Sequence, residues 1–197
     1  IVGGTGTIAI TNAGTIIGSG FALTLGGAQG GSLASIVGTG SGTLTKTDAG
    51  TWTLSGASTY TGLTTVSAGT LKLGAAGGAT NTPLGTTGAG TTVSSGAALD
   101  LNGFTLGTAE ALTLNGTGVS SGGALMNSGV AATYAGLITL DSASSIVGGT
   151  GTIALTNAGT ITGGIINTFS NDILDNTGTI GADVILGNGG DAVTNTG

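Results

Sequence analysis

Residues 1–16 (IVGGTGTIAITNAGTI) and 146–161 (IVGGTGTIALTNAGTI) are the same sequence apart from Ile10 against Leu155. A shorter echo follows. Asn157, Asn176 and Asn195 lie 19 residues apart, each followed, with one residue between, by Gly159, Gly178 and Gly197. The first two echoes then continue to Ile161 and Ile180. A short fixed period marks a stacked architecture in which each repeat is one coil. Such a chain builds a rod rather than a folded pocket.

The local pattern is that of strands. Ile8 and Ile10 flank Ala9, Leu23 and Leu25 flank Thr24, Trp52 and Leu54 flank Thr53, and Leu71 and Leu73 flank Lys72. Leu99/Leu101, Phe104/Leu106, Leu112/Leu114, Ile138/Leu140 and Ile153/Leu155 repeat the arrangement. In a strand the outer pair points one way and the middle residue the other. These runs span only roughly 3–5 residues and are punctuated by Gly-Thr, Ser-Gly, Asn-Gly and Ala-Gly turns. No helical period survives, and each glycine opposes a helix by about 1 kcal/mol relative to alanine.

The expected fold is all-β: a single-stranded parallel β-helix (β-solenoid) with roughly 19–21 residues per coil. Residues 1–197 read as one continuous solenoid and as an excerpt of a longer repetitive chain, since Ile1 and Gly197 both fall inside repeats. About ten coils at about 4.8 Å each predict a length of roughly 45–50 Å. Threonine belongs on the exposed pleats, aliphatic residues stack inside, and the asparagines at 157, 176 and 195 stack as an amide ladder at one corner. Ala75–Pro83, with the only proline, is the expected protruding loop, and 157–197 the region of 19-residue coils.

Composition narrows the function. There are 44 glycines but 39% hydrophobic residues, which separates the chain from disordered sequences. Mean hydropathy is +0.49, yet no apolar run reaches ~18 residues, so a transmembrane helix is not expected. The apolar runs are also shorter than the ~10-residue strands of a lipid-facing barrel. A net charge of −6 with Lys46 and Lys72 as the only cations argues against nucleic acid and anionic lipid. With no cysteine there are no disulfides and no thiolate metal sites.

Little catalytic chemistry is available. There is no His base and no Cys nucleophile, and a serine nucleophile needs a partner base. Lys46 and Lys72 are the only basic candidates, and both read as solvated or stem-packed lysines. Asp172 and Asp175 are the only close acidic pair, with no basic neighbour, so neither a hydrolase nor a lyase of β-helix type is expected. The run Leu186–Asp191 faintly resembles a calcium nonapeptide, but one degenerate copy cannot supply the ~6–8 oxygens calcium needs. The Thr-x-Thr pairs (5/7, 43/45, 51/53, 150/152) suggest the flat threonine face of an ice-binding solenoid, but their spacing wanders. No catalytic, cofactor-binding or metal site is therefore assigned. With no histidine and few ion pairs, stability is expected to respond little to salt or to pH between about 5 and 9.

The stretch Gly42–Leu73 (GTLTKTDAGTWTLSGASTYTGLTTVSAGTLKL) resembles the passenger-associated transport repeat of bacterial autotransporters. The resemblance rests on Gly42, Leu44 and Lys46; on Gly50, Thr51, Leu54, Ser55 and Gly56; on Thr59, Tyr60, Thr61 and Gly62; and on Val66, Gly69, Thr70 and Leu71. Asp48 stands where the pattern has glycine. Pro83–Gly85, Gly96–Gly103 and Gly123–Gly129 look like the usual sequel. The resemblance implies a right-handed β-helix, secretion to the Gram-negative surface or beyond it, and a C-terminal outer-membrane translocator barrel outside this sequence. It implies no activity. The expected role is structural: a stalk, fibre or filament that continues axially within its own chain or by end-to-end self-association. The alternative is an adhesin whose β-helix face contacts other surfaces.

Overall fold

The computed structural model describes residues 1–106, 108, 110–149, 151–157, 165–166, 173–177, 179–180, 184–185 and 190–196. Every strand pairing within them is parallel, and they build a β-solenoid of about eight turns with about 21 residues per coil. Each coil runs over two long faces and a shorter third side. Face one stacks Val2–Gly3, Leu23–Gly27, Leu44–Lys46, Thr64–Val66, Thr91–Val93, Leu112–Gly116, the start of Ile138–Val147, Ile165–Ile166 and Val184–Ile185. Face two stacks Ile8–Ile10, Gly30–Leu33, Thr51–Leu54, Gly69–Leu73, Ala97–Asp100, Leu125–Met126 and the end of Ile138–Val147. The third side carries Thr15–Ile17 on Ile36–Gly38 and, further along, Ala132–Tyr134, Ile153–Asn157, Ile173–Asn176 and Ala192–Asn195. The ten-residue strand Ile138–Val147 pairs with Leu112–Leu114 by its first half and with Leu125–Met126 by its second, so it rounds a corner without a loop.

There are fewer turns than the ten expected because coils differ in length. Thr64 pairs with Thr91 and Leu112 with Ile138, and the excess residues leave the sheets as loops. Gly77–Thr80 is exposed, as expected of the protruding loop, but its end folds inward: Thr82, Pro83 and Leu84 are buried.

Alternation decides inside from outside. On face two, Leu33, Leu54 and Leu73 form one inward column, and Trp52, Leu71, Leu99, Leu125 and Ile146 another. Trp52 is fully buried and its Nε1 donates to the Gly26 carbonyl at 3.0 Å. The residue paired with it one coil below is Gly31, where a Cβ would stand 3.1 Å from the indole and 2.2 Å from the Ile8 carbonyl. Glycine there lets a tryptophan enter a narrow core. The amide ladder is present where side chains are described: Asn176 Nδ2 donates to Asn195 Oδ1 at 3.0 Å, and Asn157 pairs in register with Asn176.

The two near-identical segments do not occupy equivalent places. Val2 lies on face one and Ile8 on face two. Their counterparts Val147 and Ile153 lie on face two and on the third side. The same residues are thus shifted by one side of the coil. All sides use the same alternation and turns, so the segment specifies a strand–turn–strand unit, and the neighbouring coil decides which side it joins.

Candidate functional surface

The two lysines are both held, in different ways. Lys46 occupies the inward column of face one between Leu25 and Val66, and its side chain is buried. Its ammonium donates to the carbonyls of Thr47 (2.6 Å), Asp48 (2.7 Å) and Ala68 (2.9 Å). It is neither solvated nor merely stem-packed, as the sequence suggested. It caps backbone oxygens at a corner shared by two coils. Asp48 shapes that corner: its φ of 60° is the conformation glycine favours, and its Oδ2 accepts from the Gly27 N–H at 2.8 Å.

Burial pulls the Lys46 ammonium down from 10.5 to about 8, partly opposed by Asp48. Between about 8 and 10.5 the unfolded chain holds a proton that the folded chain has released, so stability rises with pH through that window. In Lys46→Met this alkaline gain should be missing, as read from denaturant midpoints of both proteins across the window.

Lys72 lies on the outside of face two. Its Nζ stands 3.5 Å from Asp100 Oδ2 and donates to Ser128 Oγ at 2.9 Å. Ser128 in turn donates its hydroxyl to Asp100 Oδ2 at 2.6 Å. Asp100 also accepts the N–H groups of Asn102 and Ser128, each at 2.9 Å. Alternation points Asp100 outward, but Lys72 and the turn at Ser128 cover it to 3% exposure. A serine, a lysine and a carboxylate in contact have the makings of a nucleophile with its base. Here the lysine Nζ is engaged by both the Asp100 carboxylate and the Ser128 hydroxyl oxygen. The serine proton points at Asp100 Oδ2, the oxygen that also faces Lys72, while the two backbone donors occupy Oδ1. The cluster is a clasp across three coils. Asp100→Ala, which strands three donors, should cost roughly 2–3 kcal/mol. Lys72→Ala, which removes a part-exposed ion pair, should cost less than about 1 kcal/mol. Thermal melts of the two variants compare them directly.

Asparagines complete this corner. Asn102 Nδ2 reaches back to the Leu73 carbonyl at 2.9 Å, and Asn127 Oδ1 accepts from the Gly103 N–H at 2.7 Å. The turns Leu101–Gly103 and Met126–Gly129 are thereby tied to neighbouring coils.

Glu110 is the buried acid that sequence reasoning passed over. It is 1% exposed. Its Oε1 accepts from Thr91 Oγ1 at 2.8 Å, its backbone carbonyl accepts from the Tyr134 hydroxyl at 2.9 Å, and its Oε2 has no partner. Burial raises it from 4.5 to about 7, against the opposing Thr91 hydrogen bond. Both shifts fall inside the window expected to be flat in pH. That expectation took the few charged groups as solvated, and these two are buried.

Outside, the threonines are more regular than their spacing suggested. Thr24, Thr45, Thr65, Thr92, Thr113 and Thr139 pair rung by rung in one unbroken column on face one. Unequal coil lengths hide this in the sequence, although each is the middle of an inward–Thr–inward triplet. Beside the column, one residue before each strand, Leu63 (37% exposed) and Leu137 (48%) are open to solvent, as is Ala111. The array is one threonine wide over most of its length, since the Thr43/Thr45 neighbour does not recur.

The remaining candidates are not brought together. Asp172 and Leu186–Gly189 lie outside the described residues, so the acidic pair with Asp175 and the nonapeptide-like turn have no described geometry. Among the described residues no group of three or more potential ligands gathers around a metal position, and no helix is long and apolar enough to cross a membrane. Nothing in the described arrangement points to catalysis.

What these features define is a β-solenoid tied at its corners by polar clasps. Residues 44–73 match the model of the passenger-associated-transport-repeat family. The chain carries that repeat within its continuous stack, which is consistent with an autotransporter passenger β-helix. No match was found among curated proteins or solved structures.

Proposed function

We propose that this chain is a structural rod at the surface of a Gram-negative bacterium, serving as a stalk or filament. The observation that carries the reading is the transport repeat at 44–73, built into the same stack as the coils on either side of it. Axial backbone hydrogen bonds resist extension, and only two lysines, one buried, leave trypsin-like proteases little to cut. An epitope placed in the exposed Gly77–Thr80 loop of the native protein tests the location. Immunogold label outside intact cells, away from the outer membrane, is expected. Label that appears only after permeabilisation overturns the proposal.

A second reading is favoured by face one. Its uncharged threonine column beside exposed Leu63 and Leu137 would suit an adhesin that lies flat against another surface. Replacing Thr65 and Thr92 with lysine should abolish cell adherence on that reading and leave a pure stalk unaffected.

A further inference from the structure

Glu110 stands at a position that three other coils fill with glycine, and two others with Phe21 and Ala89. It lies two residues before the face-one strand Leu112–Gly116, as Gly42, Gly62 and Gly136 do before Leu44–Lys46, Thr64–Val66 and Ile138–Val147. The coils close tightly there: a Cβ on Gly62 would fall 2.4 Å from the Gly42 carbonyl, and one on Gly136 1.8 Å from the Glu110 carbonyl. A carboxyl has been placed at a joint that needs no side chain.

Its surroundings offer it no counter-charge. The titratable groups facing it are Tyr60 and Tyr134, both buried phenols pushed up by desolvation, and both interacting unfavourably with a Glu110 charge. Thr91 supplies one hydrogen bond and Oε2 none. Of the two lysines, Lys46 is committed to the carbonyls at 47, 48 and 68, and Lys72 to Asp100 and Ser128. An ionised Glu110 is therefore a buried, uncompensated charge.

We propose that Glu110 is a pH-sensitive latch in the middle of the rod. Neutral, its carboxyl keeps the entry to the strand Leu112–Gly116 packed under Tyr134. Ionised, it leaves the core and loosens that coil while the coils on either side stay stacked.

The sign follows from which state holds the proton. Between 4.5 and about 7 the packed coil keeps a proton that the opened coil releases. Packing is fully favoured below 4.5 and is lost progressively as pH rises through about 7. The opening equilibrium should grow about tenfold per pH unit across that range, to about 300-fold in total.

Amide hydrogen exchange of the whole chain at a series of pH values, expressed as protection factors to remove the intrinsic pH effect, measures this opening. Protection at residues 110–114 and 132–134 should fall with rising pH, while protection at 51–54 stays constant. In Glu110→Gln, which keeps the shape and an acceptor for Thr91, protection should be flat. Wild-type protection at 110–114 that ignores pH, or an E110Q protein as pH-dependent as wild type, overturns the proposal. Should the variant fail to fold, the carboxyl stretch of the wild-type protein decides. A neutral, buried carboxyl that disappears near pH 7 supports the latch, and titration near 4.5 refutes it.

Discussion

Leu54→Asp should unfold the middle of the rod, and Thr53→Asp, one residue away, should leave it intact. Leu54 is 2% exposed and stacks between Leu33 and Leu73. A carboxylate there has no cation within the aliphatic column, and an unpaired buried charge costs several kcal/mol, so a loss of more than about 4 kcal/mol is expected. Because each coil is the template for the next, the damage spreads to the flanking turns. Thr53 points outward beside Ser32 and Lys72. An aspartate at that site meets solvent and a lysine, and the change should stay within about 0.5 kcal/mol. Far-UV circular dichroism during thermal denaturation separates the two. Equal unfolding by both would overturn the assignment of inside and outside.

The second large effect is expected at Trp52. It is the single tryptophan, fully buried, and holds the Gly26 carbonyl across the core. Trp52→Ala removes the largest side chain of a narrow interior and leaves a cavity that stacked backbones cannot collapse to fill. A loss of roughly 3–5 kcal/mol follows. Trp52→Phe keeps most of the packing and loses the indole donor, so about 1 kcal/mol from the missing hydrogen bond is the smaller expected change. Wild-type tryptophan emission provides an independent check, since it should move to the red in the same transition that circular dichroism reports.

Much of the fold was legible because its signals are local. Alternation at Trp52/Leu54, Leu71/Leu73 and Leu99/Leu101 gave the inward set, and all six residues are buried. The 19-residue asparagine period gave the ladder that Asn176 and Asn195 form. The candidate surface was much less legible. The threonine column is invisible to any fixed spacing because two coils carry loops. Lys46 reads as a solvated or stem-packed lysine and alternation points Asp100 outward, yet each is covered by a corner built from residues one or two coils away. Glu110 carries no motif at all.

The sequence by itself determined that this chain is a stack of short strands, which residues face inward, and that it carries a transport repeat. Those properties depend on side-chain alternation and turn chemistry within a few residues. Only the tertiary structure decided which side of the coil each strand joins, which threonines line up, and which ionisable groups lose their water. The two copies of one segment, at 1–16 and 146–161, make the reason concrete. Identical residues place Val2 on one face and Val147 on another, because a strand's place in a solenoid is set by the edge it is added to.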